Sequence, residues 1–149
     1  MGEVWKPAVT VAGVIERDGR YLLVEEEADG RLVFNQPAGH WEPGETLAEG
    51  VIRETREETA YTFTPQWLLG IYSWRHPRKD VTYLRFAFTG SIGAHDTQQS
   101  LDAGIIRAVW LTPDEMRATQ ARHRSPLVLQ CVEDHLAGRR YPLDLISHY

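Results

Sequence analysis

Glu54, Glu57 and Glu58 fall within one short stretch of the chain. On an α-helix turning roughly 100° per residue they span an arc of about 100°, so the three carboxylates share one face. Like charges at that spacing repel by roughly 0.2–0.5 kcal/mol per pair. A divalent cation relieves the repulsion, and Mg²⁺ in particular takes carboxylate oxygens, water and substrate phosphates together. A plainer reading uses the same residues. Arg53 and Arg56 lie between and beside the acids, and a helix rich in Glu and Arg is commonly a solvated face held by local ion pairs.

The spacing around the acids favours the metal. From Gly39 the pattern is Gly-x5-Glu-x7-Arg-Glu-x-x-Glu-Glu, with Glu45 as the first glutamate and Arg53-Glu54 opening the triad. It resembles the signature box of the Nudix hydrolases at Gly39, Glu45, Arg53, Glu54, Glu57 and Glu58. Three supporting positions depart: Thr55 stands where the box has an apolar residue, Ala60 where it has glycine, and Tyr61 where it has an aliphatic residue. The resemblance implies a metal-dependent phosphohydrolase acting on diphosphate bonds. It implies Mg²⁺ or Mn²⁺ held by Glu54, Glu57 and Glu58, with the backbone carbonyl around Ala38-Gly39 as a further ligand. One of these acids, or another outside the box, then orients or deprotonates the attacking water. Arg53 joins the catalytic group, and Glu45 pairs with it as structural support between loop and helix. An alanine forced into the left-handed conformation that glycine tolerates would lose about 1 kcal/mol, so either Ala60 carries that strain or the helix ends differently.

The likeness extends beyond the box. Phe34-Asn35-Gln36-Pro37-Ala38-Gly39-His40, Tyr83-Leu84-Arg85-Phe86, Arg124-Ser125-Pro126-Leu127-Val128 and Gly138-Arg139-Arg140-Tyr141-Pro142-Leu143 follow in an order similar to the NudJ-type bacterial phosphatases. That resemblance implies release of orthophosphate from nucleoside di- and triphosphates, thiamine diphosphate and a hydroxymethylpyrimidine diphosphate. Another Nudix specificity is the alternative. Pro77 lies sixteen residues past Tyr61, a spacing similar to that of ADP-ribose pyrophosphatases, and a nucleotide-pool sanitising role is also open. A non-catalytic Nudix-fold binding module is a third reading, set against by the retention of all three helix acids.

Substrate-binding candidates are Trp74, Arg85 and Gln36. Residues 81–89 read as a strand with Leu84, Phe86 and Phe88 on one face and Tyr83, Arg85 and Ala87 on the other. With both faces covered, Arg85 is buried in part and requires an anion, either a protein carboxylate or a phosphate. Trp74, beside the basic connection His76-Pro77-Arg78-Lys79, offers a stacking surface for a ring or ordinary packing. Asn35, Gln36 and His40 flank the start of the box, to contact ligand or to hold the loop by hydrogen bonds.

These residues need elements to position them. Thr46 and Glu49 form a capping box, so the acidic helix begins there, buries Leu47, Val51 and Ile52, and ends near Thr59. Strands are expected over residues 8–15, 21–24, 32–34, 61–64, 67–74, 81–89 and 105–111, with a hairpin turn at Arg17-Asp18-Gly19-Arg20. Residues 90–104 read as a surface loop. Thr112-Pro113-Asp114-Glu115 starts a short helix. A last helix follows Ser125-Pro126, with Val128, Cys131, Val132, His135 and Leu136 on one stripe and Gly138 as its stop. His135 reads as a core histidine.

The expected fold is α+β: a three-layer α/β/α sandwich with a mixed β-sheet between helices, forming one Nudix domain over residues 1–149. The chain of 149 residues has 42% hydrophobic and 25% charged residues, which excludes disordered and fibrous classes. A net charge of −5 speaks against a nucleic-acid polymer as partner. The partner is then a small phosphorylated substrate, with no membrane, and with monomer or homodimer left open. A single cysteine, Cys131, cannot form an internal disulfide, and the expected location is cytoplasmic.

Overall fold

The computed structural model describes residues 2–149. Strand β1 (Ala8–Gly13) lies inside a mixed sheet of order β5-β1-β7-β6, formed with β5 (Ala38–His40), β6 (Tyr61–Arg75) and β7 (Thr82–His95). β1 runs parallel to β7 and antiparallel to β5, while β6 and β7 form a long antiparallel ribbon. A second sheet is built on β3 (Arg20–Ala28). It carries β2 (Glu16–Arg17) and β4 (Arg31–Asn35) along one edge and β8 (Ile105–Leu111) along the other. The expected hairpin turn is present, with Asp18 and Gly19 at φ 53° and 79°, the paired positive values that suit a two-residue turn.

Helix α1 (Leu47–Thr59) starts at the expected capping box, in which Thr46 accepts from the Glu49 N–H and Glu49 answers to the Thr46 N–H. Its apolar side, Leu47 and Val51, packs with Val11, Ile15, Leu68 and Phe88. Helix α3 (Leu127–Leu136) covers a second core, where Val128, Cys131 and Val132 meet Val14, Leu23, Leu69 and Ala87. Helices thus clothe both faces of a mixed sheet, as the patterning predicts. Between them α2 (Pro113–Ala118) repeats the capping-box start at Thr112 and Glu115. No helix among the described residues is long and apolar enough to cross a membrane.

Several expectations are corrected. Residues 90–95 are strand, not loop: β7 continues to His95 because the β-prone segment Tyr61 to Pro65 needs a partner, and Phe63 faces Ile92. Gly90 makes the fit possible, since a Cβ there would sit 2.0 Å from the Thr64 carbonyl oxygen. The two strands expected before the basic connection are one, β6, joined through register shifts around Pro65 and Trp67. Ile52 and Leu136 are exposed, because the covering layers end before reaching them. Ala60 does take the left-handed conformation, at φ 61° and ψ 16°.

Candidate active site

The acids of α1 are set against β5. Glu54 and Glu58 are buried, Glu57 half-buried. At Gly39 a Cβ would lie 2.2 Å from the Glu54 carboxyl carbon, so only a residue without a side chain admits Glu54. One turn on, Glu58 Oε1 accepts the Ala38 N–H at 2.8 Å. Arg53 then locks loop to helix. Its Nε and Nη2 donate to the two oxygens of Glu45 at 3.0 and 2.8 Å, Nη2 also reaches the His40 carbonyl at 3.1 Å, and Nη1 donates to Glu54 at 2.8 Å. With its donors so committed, Arg53 is a positioning residue for Glu54 and the box loop.

Burial dominates the electrostatics. Loss of solvent raises Glu54 and Glu57 above the usual carboxylate range and pushes Glu58 up to about 9, against the opposing hydrogen bond from Ala38. Glu45 goes the other way, lowered chiefly by its hydrogen bond from Arg53.

The three helix acids do not converge as one set. Oxygens of Glu54 and Glu57 come within 4.8 Å of one another and of an oxygen of Asp102, while Glu58 is drawn aside to the Ala38 amide. Asp102 arrives because the segment after β7 folds back on the end of α1: Asp96 N–H donates to Ala60 O, Gln99 Nε2 to Arg56 O, and Asp102 N–H to Glu57 O at 3.0 Å. Three hard carboxylate oxygens at that separation fit a hard divalent cation. Nothing in the local sequence around Asp102 marks it. It is one acid in a polar stretch, and only the fold-back brings it to the helix.

A cavity of about 500 Å³ opens beside these acids, lined on their side by Gly39, Glu54 and Glu58 and across the sheet by Thr10, Tyr83 and Arg85. Trp74 lines it too. Its ring lies nearly parallel to that of Tyr83, its cross-strand partner, at 17° with centroids 5.9 Å apart. Arg85, 6% exposed, meets no carboxylate among the described residues. Its guanidinium donates to Gln36 Oε1 at 2.9 Å, Asn35 Oδ1 at 3.0 Å and the Cys131 sulfur at 3.8 Å. Gln36, at 1% exposure and with Nε2 donating to Val128 O at 2.7 Å, stands behind Arg85 and does not line the cavity. Asn35 does reach the cavity wall. On the rim, Arg124 pairs with Glu26 and Lys79 with Asp29.

A family model described as the NUDIX domain matches residues 4–131. The chain belongs to the NUDIX family. Phosphatase NudJ of Escherichia coli K12 is 38% identical over 147 residues, covering 98% of this chain and 94% of that protein. The Shigella flexneri protein of the same name gives the same figures, 38% over 147 residues. A solved NUDIX hydrolase from Nitrosomonas europaea superposes with a TM-score of 0.95 at 53% identity, over 97% of this chain and 98% of that one. The E. coli ORF135 protein, at 23% identity and a TM-score of 0.71 over 93% and 98% of the two chains, shares the fold. The protein is thus a Nudix hydrolase, an enzyme of diphosphate bonds. Within that family its box acids divide into a pair facing Asp102 and a third acid tied to β5.

Proposed function

We propose that the protein removes the terminal phosphate of a small ring-bearing diphosphate, such as a nucleoside diphosphate, thiamine diphosphate or a pyrimidine diphosphate, releasing orthophosphate. The observation that carries this reading is that Glu54 belongs both to the carboxylate cluster with Glu57 and Asp102 and to the lining of a cavity that also holds Arg85 and the Trp74–Tyr83 ring pair. The full-length likeness to proteins named Phosphatase NudJ supports the phosphatase outcome. A reducing, cytoplasmic setting suits the free thiol of Cys131.

Glu54, Glu57 and Asp102 would hold Mg²⁺ or Mn²⁺, with the Gly39 carbonyl as a further donor. Such an ion neutralises charge on the phosphate oxygens and the leaving group. The chain supplies the rest. Arg53 fixes Glu54 in place. Glu54 and Glu58 face the cavity, and one of them accepts the proton of the attacking water. The water adds to the terminal phosphorus, the anhydride P–O bond breaks, and the proton goes to the carboxylate before passing to solvent. Orthophosphate and a monophosphate leave. Trp74 with Tyr83 supports the ring, and Arg85 supplies positive charge.

The test is product release in Mg²⁺ from thiamine diphosphate, a hydroxymethylpyrimidine diphosphate, nucleoside di- and triphosphates and ADP-ribose, with Glu57→Gln as control. Orthophosphate from the ring-bearing diphosphates, lost in Glu57→Gln with folding intact, is the expected result. AMP and ribose phosphate from ADP-ribose as the main products would replace this reading. Wild-type rates in Glu57→Gln would remove the assigned metal site.

A further inference from the structure

We propose that Arg85 is an anion receptor kept at full charge by neutral amides, and that it takes the ring-proximal phosphate of the ligand, so that the monophosphate product is retained and inhibits. A buried arginine is normally neutralised by a carboxylate, because an uncompensated charge away from water is expensive. Here the acceptors are the amide oxygens of Asn35 and Gln36 and the Cys131 sulfur. Burial raises the Cys131 thiol, which stays neutral at ordinary pH. Amides satisfy hydrogen bonds without cancelling charge. Three of the five guanidinium donors are engaged, leaving two with no protein acceptor among the described residues, on a side chain that lines the cavity.

The neighbours show that the arrangement is built. Gln36 is anchored to α3 through Val128 O and Asn35 is paired in β4 opposite Val24. Two elements therefore hold one cation from behind. Acids that line the same cavity are directed elsewhere: Glu26 pairs with Arg124, Glu54 with Arg53, and Glu58 accepts the Ala38 N–H. Charge that the fold could have neutralised is instead carried by a residue that lines the cavity.

Sheet register places this charge between the other two stations of the cavity. Arg85 pairs with Thr10, and Thr10 with His40 on β5, so the row runs from β7 to the strand beside the α1 acids. Two strand spacings make about 10 Å. In the other direction Tyr83, two residues along β7 on the same face, pairs with Trp74. A ligand with its ring on Trp74 and Tyr83 and its terminal phosphate at the acids brings its first phosphate past Arg85. The assignment of the far end rests on the proposed hydrolase reading. The anion contact itself does not.

The experiment is calorimetric titration of the full chain in EDTA with AMP and thiamine monophosphate, against adenosine and thiamine. Wild type is expected to bind each monophosphate about tenfold or more tighter than its unphosphorylated partner. Asn35→Asp keeps the acceptor on Arg85 but cancels the charge, and should erase that preference. Gln36→Glu is the second variant, should the first not fold. In an Arg85→Gln background the Asn35→Asp change should have little further effect. Equal binding with and without phosphate in wild type, an unchanged preference in both variants, or additive losses in the double variant would each overturn the proposal. A preference lost as expected in a protein that hydrolyses none of the diphosphates would leave the receptor standing and remove the hydrolase reading instead. With turnover present, AMP or thiamine monophosphate should inhibit wild type competitively and Asn35→Asp much less.

Discussion

Gly39 makes room for Glu54: the carboxyl carbon of Glu54 lies 2.2 Å from the point where any side chain at residue 39 would begin. The helix supplies the acid and the strand supplies the vacancy. Gly39→Ala should therefore displace Glu54 and break its bond from Arg53 while leaving both cores untouched. The expected result is a loss in kcat on the order of 100-fold, with weaker metal activation and a Tm within a few degrees of wild type. Steady-state kinetics across a Mg²⁺ titration, with a thermal melt beside it, checks this. Unchanged kcat would show that Glu54 is not held by this contact.

The departures from the Nudix box at Thr55 and Ala60 weaken the support beneath the acids, not the acids themselves. Thr55 Oγ1 is fully buried with no hydrogen-bond partner among the described residues. Thr55→Val removes the orphaned hydroxyl at nearly constant shape and should stabilise by about 1 kcal/mol. Ala60 sits at φ 61°. Ala60→Gly relieves about 1 kcal/mol of left-handed strain, partly offset by the buried methyl it loses, for a net gain of about 0.5 kcal/mol. Urea denaturation reads both, and a loss of stability in Thr55→Val would mean that the hydroxyl is satisfied in solution.

Trp74 and Tyr83 present two nearly parallel rings at the end of the cavity away from the acids. Trp74→Ala should raise KM for thiamine diphosphate and nucleoside diphosphates several-fold, since base stacking contributes roughly 1–3 kcal/mol. Inorganic pyrophosphate has no ring, and its KM should barely move. Equal effects on both substrates would assign Trp74 to packing alone.

His135 carries a pH dependence remote from the acids. Burial lowers it below the usual histidine value of 6.5, and its Nδ1 lies 2.6 Å from the Tyr21 hydroxyl. Tyr21 is raised to about 12, chiefly by burial, so it keeps its proton and shares a hydrogen bond with the imidazole. The folded chain thus binds fewer protons here than the unfolded chain does. The contribution to stability is present above the unfolded value of 6.5 and is lost as pH falls through the window below it. Urea midpoints measured from pH 7.5 to 5 should fall less steeply in His135→Gln than in wild type. Parallel slopes would remove His135 as the cause.

Much of this molecule is readable along the chain. The capping boxes at Thr46 and Thr112, the turn at Asp18-Gly19 and the acidic face of α1 are local arrangements, set by contacts a few residues apart. Arg53 with Glu45 is nearly as local, eight residues apart on loop and helix. The strand beyond Thr89 escaped the sequence reading because its glycines and polar residues take their conformation from Tyr61 to Pro65, nearly thirty residues earlier. Tertiary pairing there overrides propensity.

The sequence alone determined the helix, its acids and the glycine beside them, because spacing on a regular helix fixes which side chains share a face. It also marked Arg85 as a buried charge. Which groups would answer those charges depended on residues distant in the chain. Asp102 reaches Glu57 only through the fold-back after β7, and Arg85 is met by Asn35 and Gln36, 50 and 49 residues away, where a carboxylate was equally open. Counter-charge is a property of position in space, and only the packing of β4, β7 and α3 around one cavity decided it.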